Sequence, residues 1–221
     1  SEVKSRSAKQ TRETTACALG PELTGEVTQA LLQSNIEWFA VPRHMGSIGS
    51  PIESTCLTIM PKDFARIGLM WSSTLSPASE NTTPDSTVMF IPAPYWKHER
   101  QIIVMPDIGM TLVLGSDYMG EANKAHLRMI MHQVFQGGLG LGLHAGTKSM
   151  LVVDKTTGQL TLSGVALIGL SGTGKTSLSG SNHSLTDPEG TYNHQDDFTV
   201  VAQPTQAIET PSGTRYIVPF Y

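Results

Sequence analysis

The chain has 221 residues, 39% apolar and 15% charged, enough to bury one sizeable core or two small ones and too apolar for a disordered polymer. A formal net charge of -4 without clustered Lys and Arg argues against a nucleic-acid-coating protein, and no apolar run approaches the ~20 residues that cross a bilayer. The two cysteines, Cys17 and Cys56, stand alone, which fits neither a disulfide scaffold nor a thiolate zinc site, and the opening Ser1-Glu2-Val3-Lys4 lacks a secretory apolar core. A reducing, cytoplasmic setting is expected.

Residues 1–15 are polar and aperiodic and read as an arm. From Pro21, the spacing of Leu23, Val27, Ala30, Leu31 and Leu32 predicts a short amphipathic helix, followed by a strand over Ile36–Val41. Further strands are expected at Ser54–Met60, Ile67–Ser72, Thr87–Ile91 and Gln101–Val104, with a longer apolar stretch over Ile108–Leu114. The polar segment Ser76–Ser86, with Pro77 and Pro84, reads as a surface excursion or the edge of a small subdomain.

A helix is predicted from about Glu121 to Phe135, with Ala125, Met129, Ile130 and Val134 as its buried stripe and Gly137-Gly138 as its stop. Gly137–Gly142 has no strand-to-helix context and reads as a flexible connection. Met150–Val153 and Gln159–Leu162 flank the turn Asp154–Gly158 as a hairpin, which runs on into a buried strand over Val165–Ile168.

That strand meets Gly169-Leu170-Ser171-Gly172-Thr173-Gly174-Lys175-Thr176, the pattern G-x-x-x-x-G-K-[ST]. Glycines at these positions let successive backbone N–H groups converge on phosphate oxygens, while the lysine reaches the outer phosphates and the threonine hydroxyl suits Mg2+. The expected ligand is a nucleoside triphosphate with its metal. Ser179-Gly180-Ser181-Asn182 stops the following helix within two turns, so this is a short-helix variant. Downstream, Asp196 and Asp197 set adjacent carboxylates before a β-branched run, an arrangement suited to divalent cations beside a triphosphate.

Gly169 to Ser179 is similar to the loop of the ATP-type phosphoenolpyruvate carboxykinases, Gly-Leu-Ser-Gly-Thr-Gly-Lys-Thr-Thr-Leu-Ser, and differs from it by Ser177. Tyr118-Met119-Gly120-Glu121-Ala122-Asn123-Lys124 resembles that family's Gly-Glu-Met-Lys-Lys segment, and the stretch from Gly140 to His144-Ala145 resembles its histidine-bearing one. Order and spacing agree over about Gly115 to Val201.

The resemblance implies an α/β fold: a β-rich N-terminal domain over 16–150 leading into the start of a P-loop mononucleotide-binding domain over 151–221. It implies ATP held by Gly169, Leu170, Ser171, Gly172, Thr173, Gly174, Lys175, Thr176 and Ser177. It also implies Mn2+ held by Lys124, His144 and Asp197, Mg2+ on Thr176 and Asp196, and Lys175, Lys124 and His144 as catalytic groups. Taken alone, Lys124 reads as a solvated helix residue and His144 as a packed core histidine. The implied reaction turns oxaloacetate and ATP into phosphoenolpyruvate, ADP and carbon dioxide. A nucleotide and a small dicarboxylic acid are then the partners, with a C-terminal remainder or a second chain beyond Tyr221.

Two departures keep other readings open. Asn123 replaces a lysine, and no Thr-Gly-Arg-Ser-Pro-x-Asp segment occurs in the first hundred residues, the nearest analogue being Arg43-His44-Met45-Gly46-Ser47. A kinase resembling HPr kinase, with another acceptor, and a non-catalytic ATP-binding sensor or assembly protein are the alternatives.

Overall fold

The computed structural model describes residues 21–32, 35–79, 82–169, 172–196, 198–210 and 213–217. The expected arm at 1–15, with Cys17, Leu170, Ser171 and Asp197, lies outside the described residues. The fold is mixed α/β and β-rich, in two compact units divided between His132 and Gln133.

The first unit is built on a six-stranded sheet of β1 (Trp38–Met45), β2 (Ser54–Pro61), β3 (Ser76–Pro77), β4 (Ser86–Ile91), β5 (Gln101–Met105) and β6 (Met110–Leu114), in the order β3-β1-β2-β4-β6-β5. The central β2, β4 and β6 are parallel; β1, β3 and β5 close the edges antiparallel. β3, inside the stretch expected as an excursion, is the sheet's edge.

Helix α1 (Pro21–Leu31) buries Val27 and Ala30 of the predicted stripe in a cluster with Ile91, Trp96, Leu112 and Leu114, and Leu23 and Leu31 pack against it, whereas Leu32 lies past the helix end and is 75% exposed. Strand residues alternate between sheet faces, so Ile91 and Leu112 turn to α1 while Ser86, Val88 and Phe90 turn away from it. The opposite face is covered through α2 (Ala65–Ser72) and α3 (Gly120–Gln136), since His126 of α3 reaches Ser86 of β4 and Thr58 of β2 and stacks on Trp71 of α2. Burying a large apolar side chain stabilises by about 1.5–3 kcal/mol, so the fully buried Phe90, Met60 and Trp71 carry much of this layer, as Ile91 does of the one beneath α1.

The run Ile67–Ser72, expected as a strand, is instead the body of α2. Its buried residues are Ile67, Gly68 and Trp71, at helical spacing, while Leu69 and Met70 between them face solvent. A short continuous apolar run lacks the polar partners that distinguish period 2 from period 3.6, and tertiary packing decided it. In Ile108–Leu114, Pro106–Ile108 forms a 3-10 turn and Gly109 takes φ +63°, so β6 begins at Met110. The stripe of α3 is as expected, with Ala125, Met129, Ile130 and Val134 buried, and Ala122 extends it by a turn.

The second unit contains a three-stranded antiparallel sheet of β8 (Ala145–Val153), β9 (Leu160–Ile168) and β10 (Gly190–Gln195), in the order β10-β8-β9. β7 (Gly140–Leu143) pairs with β11 (Thr199–Ala202), and β12 (Gln206–Thr210) with β13 (Gly213–Ile217). The predicted hairpin is present, its turn fastened by the Asp154 carboxylate accepting the N–H groups of Thr156 and Thr157 at 2.7 and 3.1 Å. Two expectations change. Part of the connection Gly137–Gly142 is β7, because its backbone finds a partner in β11. Val165–Ile168 is not a buried strand but the half-buried end of an edge strand, with Ile168 71% exposed.

Candidate functional site

Register gathers several of the expected residues at one end of the three-stranded sheet. Ala145 pairs with Ile168, so His144, just before β8, stands at the same end as Gly169, just after β9. On the other side of β8, Gln195 pairs with Thr147 after a bulge, which brings Asp196 to that end as well. Thr199 pairs with Leu143, on the other side of His144 from Thr147. An antiparallel sheet explains the convergence: β8 leaves this end while β9 and β10 arrive at it.

The glycine loop runs from this end into α4 (Lys175–Ser179). A Cβ on Gly169 would lie 2.5 Å from Thr173 Oγ1, so no larger residue fits as the loop stands. Gly172 and Gly174 take φ +82° and +91°, a region open to glycine at little cost. Lys175 donates from Nζ to the Gly169 carbonyl at 2.8 Å, closing the loop on itself. Thr176 and Ser177 are exposed beside it, whereas Ser179 is buried and donates to the Thr176 carbonyl at 3.1 Å. The short helix is as expected, five residues long. The loop therefore offers a cation, backbone N–H groups and a hydroxyl on one exposed turn, a donor set suited to phosphate oxygens.

Asp196 is half-buried, its backbone N–H held by the Gln195 side chain at 2.8 Å; His144 is exposed. Imidazole nitrogen and carboxylate oxygen are each ligand types that first-row divalent cations accept. Lys124 belongs to the first unit, exposed on α3 with Nζ 5.7 Å from the Tyr118 ring centroid, a cation–π contact. Beside it, Asn123 Oδ1 is buried without a hydrogen-bond partner. Among the described residues, no three His, Cys, Asp or Glu side chains converge as a metal cluster.

Two buried polar residues escaped the sequence reading. Lys148, 2% exposed on β8, reaches the end of α4. His126 lies wholly inside the first unit, where burial pushes its imidazole down to about 3, between Thr58 Oγ1 at 3.0 Å and Ser86 Oγ at 2.7 Å. The neighbouring Cys56 thiol is pushed up to about 11 by burial, against the hydrogen bonds with Ser86 and Ser54 that favour the thiolate. Neither group is accessible. A polar residue inside an alternating or helical pattern looks the same in sequence whether it meets water or a buried partner.

As a class, this is a β-rich mixed α/β protein in which a hairpin strand enters a lysine-closed glycine loop. More particularly, the model of the phosphoenolpyruvate carboxykinase family matches residues 55–211, and the chain belongs to that family. Among curated proteins it is similar to the phosphoenolpyruvate carboxykinase (ATP) of Aeropyrum pernix, with 32% identity over 164 residues, 74% of this chain and 32% of the relative. The chain thus spans about a third of that relative's length. No helix among the described residues is long and apolar enough to cross a membrane.

Proposed function

We propose that the chain carries the nucleotide- and metal-binding portion of a phosphotransferase of the carboxykinase type, one that converts oxaloacetate and ATP into phosphoenolpyruvate, ADP and carbon dioxide. The register that brings His144, Gly169 and Asp196 to one sheet end is the observation that supports this reading best.

In this account the N–H groups of Gly172, Thr173 and Gly174 receive the phosphates of ATP. Lys175 exchanges its bond to the Gly169 carbonyl for one to an outer phosphate oxygen, stabilising charge on the group in transfer. The Thr176 hydroxyl and Asp196 carboxylate would hold Mg2+, and His144, Lys124 and Asp197 would hold Mn2+. The second metal would supply Lewis acidity toward the oxygens of the dicarboxylic acid. Lys124 would serve as an amine ligand, which requires it to leave its place over the Tyr118 ring.

The test is formation of ADP and phosphoenolpyruvate from ATP with Mg2+ and Mn2+, with and without oxaloacetate. Oxaloacetate-dependent formation of both products is expected; tight MgATP binding without phosphoenolpyruvate would contradict the acceptor. The absence of the arginine segment from the first hundred residues favours a second reading in which the same core phosphorylates a serine hydroxyl. A sensor that binds MgATP and turns nothing over would give neither product.

A further inference from the structure

The helix that follows the glycine loop is five residues long, too short to be stable by itself, yet it carries Lys175 and Thr176. Something outside the helix must fix it. The first part of β8, from Ala145 to Lys148, is buried throughout. A Cβ added to Gly146 would meet Ser179 Cβ and Oγ at 3.3 Å, so β8 is the bed on which α4 rests.

Lys148 then reaches the helix's far end. Its Nζ donates to the Leu178 carbonyl, to the Ser181 carbonyl at 3.2 Å and to Nε2 of His183. A lysine ammonium has three N–H donors and accepts nothing, so this set satisfies it fully and makes Nε2 the unprotonated nitrogen of His183. Carbonyls at a helix C-terminus lack partners within the helix and carry the negative end of its dipole, so a cation there is doubly favoured.

The loop beyond α4 is shaped to complete this arrangement. His183 and Ser184 take φ +52° and +59°, a conformation that L side chains rarely adopt, and His183 thereby meets the buried amine. Asn182 and Thr191 tie the same loop to β10: Thr191 N–H donates to Asn182 Oδ1 at 3.0 Å, and the Thr191 hydroxyl donates to the Ser181 carbonyl at 3.2 Å.

We propose that Lys148, with His183 as its acceptor, is a positioning residue for nucleotide binding: a strut from β8 that holds the short α4, and with it Lys175 and Thr176, in the geometry that receives a triphosphate. This inference rests on the nucleotide reading given above.

Lys148→Met keeps the unbranched apolar stem of the side chain, one atom shorter, and removes its donors. Calorimetric titration with MgATP is expected to give a Kd about tenfold or more above the parent chain at unchanged stoichiometry, the loss typical of a buried hydrogen-bonded charge. Mg-tripolyphosphate is expected to lose affinity by the same factor, because the strut acts on the phosphate loop. Damage to folding alone would lower the stoichiometry and leave Kd where it was. His183→Asn, at an exposed position where asparagine tolerates the left-handed backbone, removes the ring acceptor and is expected to raise Kd by about threefold even if Lys148→Met does not fold. A parent chain that binds no MgATP overturns the nucleotide reading and this inference with it. A parent chain that binds, with a folded Lys148→Met or His183→Asn variant of equal Kd, overturns the strut alone.

Discussion

Acidification should unfold this protein partly through His126. The ring sits in the first unit between two hydroxyls and against Trp71, 5.1 Å between ring centroids at 23°, and it is wholly buried. Thr58 and Ser86 can each donate or accept, so either neutral tautomer is satisfied, whereas imidazolium has no carboxylate among these partners. Burial takes the group from its usual 6.5 down to about 3, a gap of about 3.5 units at 1.36 kcal/mol per unit.

The unfolded chain therefore binds this proton more readily than the folded one. Stability from neutral His126 is fully present above pH 6.5 and is lost progressively as pH falls towards 3. The full loss is about 5 kcal/mol, of which about 3 kcal/mol has gone by pH 4.5. Urea unfolding at half-unit pH steps from 7.5 to about 4.5, on the parent and on His126→Gln, isolates this contribution, since carboxylates titrate in both. The variant should be less stable at pH 7.5 and lose stability less steeply below 6.5, by about 1.4 kcal/mol per unit. Parallel profiles would refute the assignment of a buried neutral imidazole.

Two close approaches give further predictions. A Cβ on Gly140 would lie 2.2 Å from the Val201 carbonyl oxygen and 2.6 Å from Ala202 Cα, so Gly140→Ala must part β7 from β11. It should cost about 2–3 kcal/mol, read as a fall in the denaturant midpoint, and increase hydrogen exchange at Thr199–Ala202. Gly169→Ala, which drives its methyl into Thr173 Oγ1, should weaken MgATP binding about tenfold or more while the melting temperature of the free chain changes little; an unchanged Kd would count against the loop as the phosphate site.

Much of this architecture is legible in the sequence because its signals are periodic. The stripe of α3, the hairpin about Asp154–Gly158 and the strands β2, β4 and β5 follow from spacing alone. The α2 segment does not, since Ile67 to Trp71 is apolar in every position but the glycine and both periods fit it. The glycine loop announces itself through residue types that no ordinary turn requires at that spacing. The register that brings His144 and Asp196 beside it depends on a bulge between Asn193 and Gln195 and on a β8 that starts at Ala145, five residues before its apolar run at Met150. Lys148 was hidden for a related reason: between Thr147 and Ser149 it looks like an outward polar position, while its partners, the Leu178 and Ser181 carbonyls and the His183 ring, lie thirty or more residues away.

The central claim is that the turn from Gly169 to Thr176 is where this carboxykinase-family chain receives a nucleoside triphosphate. It is tested most directly by titrating MgATP into the parent chain and into Lys175→Ala, following heat and melting temperature together. The account predicts saturable binding and a rise in melting temperature for the parent, with both abolished in the variant at unchanged melting temperature of the free protein. Equal affinity and equal stabilisation in the two proteins would contradict it.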